Sequence, residues 1–198
     1  MPGDTASDRI LTIPNVISLA RLLGVGLFWW ALLAAEDHTL AAIIIFLTGG
    51  TDWIDGRLAR RLNQVTRLGK ALDPAADRLM IASAVIGGMI ASVIPPAIGW
   101  LLIVREALMS AVTLTLAVKG QGTLEVRHLG KVSTFILYGA IPAFYLAKGG
   151  VLESLTAPFA WVAAVIGLAL YWVVTFQYLV DARLRLVGVD SGPTAKES

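Results

Sequence analysis

The sequence predicts an all-α fold, an integral membrane bundle of six transmembrane helices, from three observations. The 198-residue chain is 57% hydrophobic and only 15% charged, too apolar for a soluble domain with a charged surface. Apolar runs of about 18 residues or more, long enough to cross a bilayer, recur from one end to the other. These runs lack the alternation of barrel strands, and lipid offers the backbone no hydrogen-bond partner, so the spanning elements must be helices.

Six runs are predicted to span the membrane, and the first of them is not a cleavable signal peptide. Asp4 and Asp8 precede that run, which is too long and lacks a convincing small-residue cleavage site, so it should remain in the protein. The predicted spans are Pro14 to Ala34, Leu40 to Ala59, Asp77 to Val93, Ile98 to Val118, Val132 to Ala147 and Pro158 to Val180.

The chain shows no convincing repeat or linker, so residues 1–198 are expected to form a single membrane-embedded domain. Residues 1–13 would be a short cytoplasmic arm. Within it, a small interfacial helix from Thr5 to Thr12 is an open alternative. Residues 188–198 would be a polar tail. With no cysteine in the chain, disulfides, thiolate metal sites and cysteine nucleophiles are excluded.

Basic residues predict the orientation, because they collect in alternate loops. Arg60, Arg61, Arg67, Lys70 and Arg78 follow the second run, and further basic residues follow the fourth and sixth runs. The opposite loops carry acidic residues and a single lysine, so the positive-inside rule puts both termini in the cytoplasm. The basic face would suit anionic lipid headgroups, and no nucleic-acid partner is expected.

Four carboxylates lie where a membrane bundle is normally apolar, between the second and third runs. Asp52 and Asp55 are three residues apart, and Asp73 and Asp77 are four apart, so each pair would point from one helix face. Four clustered charges near lipid need bound cations or protons to neutralise them. Carboxylates suit Mg²⁺ or Mn²⁺, with Ca²⁺ also open, and four can hold two ions. The arrangement predicts phosphoryl or phosphatidyl transfer.

Small and basic residues surround the same carboxylates. Gly56, Ala59 and Gly69 lack bulk, so a nucleotide could lie against the backbone there. Arg60 is the arginine best placed by helical spacing from Gly56 to contact a phosphate.

The full spacing, D-x2-D-G-x2-A-R-x8-G-x3-D-x3-D, resembles the signature of the CDP-alcohol phosphotransferase family at every fixed position. The resemblance extends to Leu11 to Arg21 and to Gly130 to Thr134. It implies six transmembrane helices, a homodimer and a polar cavity open to the cytoplasm. It also implies transfer of a phosphatidyl group from CDP-diacylglycerol to an alcohol, either a lipid or a small polyol phosphate.

The resemblance implies a role for individual residues as well. Asp52, Asp55 and Asp73 would be metal ligands, and Asp77 would be both a ligand and the general base. The residues along the CDP moiety would be Asp55, Gly56, Ala59, Arg60 and Gly69.

Phosphatidylglycerol, giving cardiolipin, is the expected acceptor, and glycerol 3-phosphate, giving phosphatidylglycerophosphate, is the alternative. Family members that use glycerol 3-phosphate typically have a second lysine at the position of Ser133, and an arginine within the stretch that is Met109 to Val118 here. Against this, the pair Arg105 and Glu106 looks more like those enzymes. The acceptor-binding candidates are Asn15, Arg21, Arg105 and Lys131.

Simpler interpretations remain open for several of these residues. Asp73 precedes Pro74 and could simply be the N-cap of a helix, with no role in metal binding. Arg105 could form a structural salt bridge to another helix. Arg21 could extend to the lipid headgroups, and Lys131 could merely satisfy the positive-inside rule. A six-helix cation transporter is the alternative of a different class, although all four aspartates lie at one end and no inverted repeat is present.

Overall fold

The computed structural model describes residues 13–49, 67–121 and 127–187, and within these ranges the chain forms six helices and no strand. The arm before Ile13, the tail after Val187 and the end predicted for the second span lie outside the described residues. The helices are α1 (Ile13–Leu33), α2 (His38–Gly49), α3 (Arg67–Ile90), α4 (Pro96–Val118), α5 (His128–Lys148) and α6 (Glu153–Val187).

The predicted spans match α1 and α4 to within two residues, but the third span was placed wrongly. It was predicted to begin at Asp77, whereas α3 begins ten residues earlier at Arg67 and ends at Ile90. The charged residues of the first turns lower the local hydropathy, so an apolar-run criterion starts too late. Helices α5 and α6 also extend beyond the predicted spans at both ends, for the same reason.

Local signals in the sequence explain where several helices begin and end. Asp37 precedes α2, and its Oδ1 accepts a hydrogen bond from the Leu40 N–H at 2.9 Å, as an N-cap does. Pro96 opens α4, where its missing N–H costs nothing. Gly150, in the turn before α6, has a φ of +77°, a conformation that glycine adopts without strain.

Close contact between α1 and α3 builds one half of the core. Phe28 is fully buried and makes edge contacts with the rings of Trp29 and Tyr145. A Cβ on Gly87 would lie 3.0 Å from Phe28 Cζ and 2.8 Å from Leu32 Cδ2, so glycine lets α3 approach this ring. The other half of the core is the long pairing of α5 with α6, and α4 packs against α6.

The outer surface of the bundle is apolar. Large hydrophobic side chains such as Phe46, Phe135 and Phe176 are more than 60% exposed, as expected for side chains that face lipid tails. Three described helices are long and apolar enough to span a bilayer: Pro96–Val118, His128–Lys148 and the segment Glu153–Leu186. The described parts of α1 and α2 are shorter apolar helices.

The two ends of the bundle differ in charge, as the loop pattern predicts. Lys119 caps the C-terminus of α4, and Lys131 lies in the first turn of α5. At this end Arg127 donates a 2.6 Å hydrogen bond to Asp181 of α6, and the Arg127 backbone N–H donates to the Tyr178 hydroxyl. Arg185 of α6 donates to the Gln121 carbonyl just after α4, so the ends of α4, α5 and α6 lie close together here.

Candidate active site

A cavity of about 470 Å³ lies among α3, α4, α5 and α6. Its polar lining includes Asp77, Glu106, Tyr138 and Tyr171, each from a different one of these helices. The rest of the lining is mainly apolar and comes largely from α3, α4 and α5: Met80, Ile81, Val85, Ile86, Leu102, Ile103, Leu137 and Ile141.

Asp77 is placed at this cavity by α3, with its side chain partly buried. The Tyr138 hydroxyl of α5 donates a hydrogen bond of 2.5 Å to Asp77 Oδ1. A hydrogen bond to an ionised carboxylate is stronger than one between neutral groups. Asp77 is thus presented to the cavity as an oriented carboxylate beside an apolar wall, an arrangement suited to accepting a proton from a bound alcohol.

Arg105 and Glu106 form a polar group between α4 and α6. Arg105 donates to Glu106 Oε2 at 3.1 Å and to Thr175 Oγ1 at 2.9 Å. Its guanidinium carbon lies 3.6 Å from the centroid of the Tyr171 ring, and the Tyr171 hydroxyl donates to Glu106 Oε2 at 3.2 Å. Ion pairing, hydrogen bonding and the aromatic face together compensate for burying the guanidinium in mid-helix.

The two members of this pair differ in exposure. The Arg105 side chain is 10% exposed, whereas that of Glu106 is 46% exposed and lines the cavity. The salt bridge to another helix, the alternative interpretation of Arg105, is not among the described contacts. The ion pair is with a neighbour on the same helix, and the link to α6 runs through a hydroxyl and a ring.

The second aspartate pair lies inside α3, as the four-residue spacing predicts. Gly69, Asp73 and Asp77 are each four residues apart on a continuous helix, so they share one face. The simpler interpretation of Asp73 as an N-cap is wrong, because α3 begins six residues before it. Pro74 therefore occupies a helix interior, where it removes one backbone hydrogen bond.

The predicted four-aspartate cluster extends beyond the described part of the chain. Asp52 and Asp55 lie outside it, as do Gly56, Ala59 and Arg60 and the side chain of Asp73. Among the side chains that the structure does describe, no three histidine or acidic groups come together as a metal site. Asp77 is the one predicted ligand whose side-chain surroundings the structure describes.

The acceptor-binding candidates occupy different environments. Arg21 is buried in α1, with 3% of its surface exposed, so it does not extend to the headgroups. Lys131 is exposed in the first turn of α5, and Asn15 lies in the first turn of α1. Arg105 is beside the cavity but engaged by its partners. The described contacts do not bring these four residues together.

Sequence reasoning missed Tyr138 and Tyr171, the two tyrosines among the lining residues of the cavity. Tyr138 lies seven residues after Lys131 and therefore on the same face of α5, within an otherwise apolar stretch. A tyrosine in the middle of a membrane helix needs a hydrogen-bond partner, and that requirement was the available signal. Its partner could not be deduced without the packing of α3 against α5.

Comparison with known proteins decides among the functional classes. The sequence profile of the CDP-alcohol phosphatidyltransferase family matches residues 11–176, most of the chain. The chain belongs to the CDP-alcohol phosphatidyltransferase family. Enzymes of this family use CDP-diacylglycerol and an alcohol acceptor, generally with divalent metals, and have a membrane fold. The chain is therefore a multi-pass membrane enzyme, and the transporter alternative is not supported.

Individual CDP-alcohol phosphatidyltransferases match over most of the chain. A cardiolipin synthase (CMP-forming) of Streptomyces coelicolor is 42% identical, covering 93% of this chain and 88% of that protein. A probable phosphatidylglycerophosphate synthase of Mycobacterium tuberculosis is 35% identical, covering 91% and 85%. A CDP-diacylglycerol–glycerol-3-phosphate 3-phosphatidyltransferase of Bacillus subtilis is 34% identical, covering 78% and 88%. Both acceptor classes are thus represented among the relatives.

Proposed function

We propose that this enzyme transfers the phosphatidyl group of CDP-diacylglycerol to phosphatidylglycerol, forming cardiolipin and releasing CMP. The observation that carries the proposal is the cavity, in which a carboxylate adjoins a largely apolar wall. Lining residues on α3 run from Asp77 to Ile86, a helix length of about 13 Å. A reactive polar group at one end and an apolar wall beyond it suit a lipid-bearing substrate.

Two divalent ions, Mg²⁺ or Mn²⁺, would be held by Asp52, Asp55, Asp73 and Asp77. The placement of Asp73 and Asp77 one turn apart on α3 is consistent with such a donor set, and hard carboxylate oxygens are the ligands these ions prefer. When bound, the ions would neutralise the diphosphate of the CDP-lipid.

The remaining chemistry is assigned to residues of this chain. Asp77 accepts the proton of the acceptor hydroxyl, whose oxygen attacks the lipid-bearing phosphorus. A new P–O bond forms, the bond to CMP breaks, and CMP carries the displaced oxygen. The residues proposed to lie along the CDP moiety, besides Asp55, are Gly56, Ala59, Arg60 and Gly69.

Electrostatics of the cavity favour phosphatidylglycerol over glycerol 3-phosphate. Glycerol 3-phosphate is nearly dianionic and small, so its site needs several converging cations. Among the described lining residues Arg78 is the only basic one, and Glu106 adds a negative charge. Arg105 is engaged by Glu106, Thr175 and the Tyr171 ring. A phosphodiester with two acyl chains asks for fewer cations and more apolar surface.

The position that carries a second lysine in phosphatidylglycerophosphate-forming enzymes supports the same choice. Ser133 is fully buried here, and its hydroxyl donates to the Gly130 carbonyl at 2.9 Å. It supplies no charge to a phosphate. A phosphodiester carries a single negative charge, so about one or two of the acceptor-binding candidates would be enough to bind it. Those candidates are Asn15, Arg21, Arg105 and Lys131.

The proposal includes orientation and assembly. Both termini and the basic end of the bundle lie on the cytoplasmic side of the cell membrane, because the basic residues are concentrated in alternate loops. The enzyme is a homodimer, as the family resemblance implies.

Purified enzyme supplied with CDP-diacylglycerol, Mn²⁺ or Mg²⁺, and each acceptor in turn tests the proposal. Cardiolipin should form with phosphatidylglycerol, and little lipid product should form with glycerol 3-phosphate. Lipid product with glycerol 3-phosphate alone would overturn the acceptor assignment while leaving the phosphatidyl-transfer reaction intact. No CMP with either acceptor would overturn the reaction itself.

A further inference from the structure

Two tyrosines of α5 donate hydrogen bonds to α3 with the same spacing on both helices. Tyr138 donates to Asp77 Oδ1 at 2.5 Å, and Tyr145, seven residues later, donates to the backbone carbonyl of Ala84, also seven residues later, at 2.6 Å. Both contacts join the same pair of helices, two turns apart. Only the first one ends on a side chain that lines the cavity.

The ring of Tyr138 packs against α2 at Gly49, which has no side chain. A Cβ on Gly49 would lie 3.0 Å from Tyr138 Cδ1 and 2.7 Å from Cε1, the latter closer than real Cβ atoms approach. Gly49 therefore creates the space in which the ring lies. Helix α2 on one side and the carboxylate of Asp77 on the other fix where the phenol can be.

We propose that Tyr138 is a positioning residue for the phosphatidyl-transfer reaction. Its hydroxyl fixes the rotation of the Asp77 carboxylate, so that this group meets the acceptor hydroxyl in one orientation rather than several. Gly49 is part of the same device, because it sets the position of the phenol ring. The role rests on the proposed function, in which Asp77 accepts the acceptor proton.

Tyr138→Phe separates this role from simple packing, because it removes the hydroxyl and keeps the ring. The turnover number for CMP release should fall roughly 10- to 100-fold, the usual effect of losing a partner that orients a reactive group. The KM for CDP-diacylglycerol should stay within about twofold, and excess Mn²⁺ should not restore turnover. Tyr145→Phe is the matched control, since it removes an equivalent hydroxyl from the same helix pair. It should lower thermal stability and leave turnover unchanged.

Gly49→Ala provides a second variant that leaves the hydroxyl in place. The added Cβ should displace the ring and lower turnover, and combining it with Tyr138→Phe should cost little more than Tyr138→Phe alone. Size-exclusion profiles and melting temperatures in detergent verify folding of every variant.

The outcomes of these measurements are distinct. If the wild-type enzyme releases CMP and the Tyr138→Phe variant is equally active, the positioning role alone is overturned. Equal losses of turnover in Tyr138→Phe and Tyr145→Phe, in proportion to lost stability, would also overturn it and make both hydroxyls helix braces. Wild-type protein that releases no CMP would overturn the proposed function, and the role of Tyr138 with it.

Discussion

The Asp77 side chain is proposed to do two things: to bind a metal ion and to accept the proton of the acceptor hydroxyl. The Tyr138 hydroxyl donates to one carboxylate oxygen at 2.5 Å, and apolar residues of α3 and α5 continue from the same point. In such surroundings a carboxylate interacts strongly with nearby charge, because little water competes. If Asp77 accepts the acceptor proton, as proposed, its position decides where the acceptor hydroxyl must lie.

Asp77→Asn should lower the turnover number at least about a hundredfold, because an amide cannot accept the acceptor proton. Binding of CDP-diacylglycerol should remain measurable by calorimetry, since the amide keeps one oxygen for the metal. Asp181→Asn is a control on α6 that removes only the partly exposed ion pair with Arg127. Its turnover should match wild type, since such pairs contribute about 1 kcal/mol or less to stability. Normal turnover in Asp77→Asn would refute the base assignment.

At the scale of the helices, glycines determine how closely α1 packs against α2 and α3. Gly24 and Gly87 both lie at contacts where a Cβ would come within 3 Å of a neighbouring side chain, Thr48 and Leu32 respectively. Gly26, on the same α1 helix, has no atom within 4 Å of the corresponding point. The sequence alone gives three glycines with no distinction among them, and only the packing separates their roles.

Gly87→Ala should therefore lower the melting temperature of the purified enzyme by a few degrees. Overpacking against the buried Phe28 ring costs about 1–3 kcal/mol, against roughly 1 kcal/mol gained in helix propensity, a net loss of up to about 2 kcal/mol. Gly26→Ala should leave the melting temperature unchanged or raise it. Thermal unfolding followed by tryptophan fluorescence in detergent measures both. A Gly87→Ala variant as stable as Gly26→Ala would contradict the tight packing of α1 on α3.

Sequence patterns predicted the number of helices and the bounds of α1 and α4, because apolar runs and turn residues are local signals. The start of α3 was missed, since charged residues in its first turns obscure a helix that the apolar pattern reveals only from Asp77. Spacing within a helix also placed Asp73 and Asp77 on one face. The partners of Asp77 and Arg105 come from residues 61 and 70 positions away, and no local pattern specifies such contacts.

At the scale of the whole molecule, charge and aromatic residues divide the bundle into two ends. Lys119, Arg127 and Lys131 lie at one end, where α4 finishes and α5 starts. Trp100 and Trp161 lie near the starts of α4 and α6 at the other end, and both are at least half exposed. This is the distribution expected for a basic cytoplasmic face and an aromatic belt at the opposite interface.

Cysteine labelling tests this orientation, and the chain has no cysteine of its own to interfere. Cysteines introduced at Asp37 and Glu153 should react with a membrane-impermeant thiol reagent on intact cells. A cysteine at Gln64 should react only after the membrane is permeabilised. Labelling of position 64 but not of 37 on intact cells would invert the orientation.

The stoichiometry of CMP and cardiolipin tests phosphatidyl transfer to phosphatidylglycerol most directly. Purified enzyme with CDP-diacylglycerol, phosphatidylglycerol and Mn²⁺ should produce one CMP for each cardiolipin formed, as quantified by mass spectrometry. Omitting either lipid should abolish cardiolipin. Cardiolipin formed without CMP, or CMP released without a new phospholipid, would contradict transfer from CDP-diacylglycerol to phosphatidylglycerol.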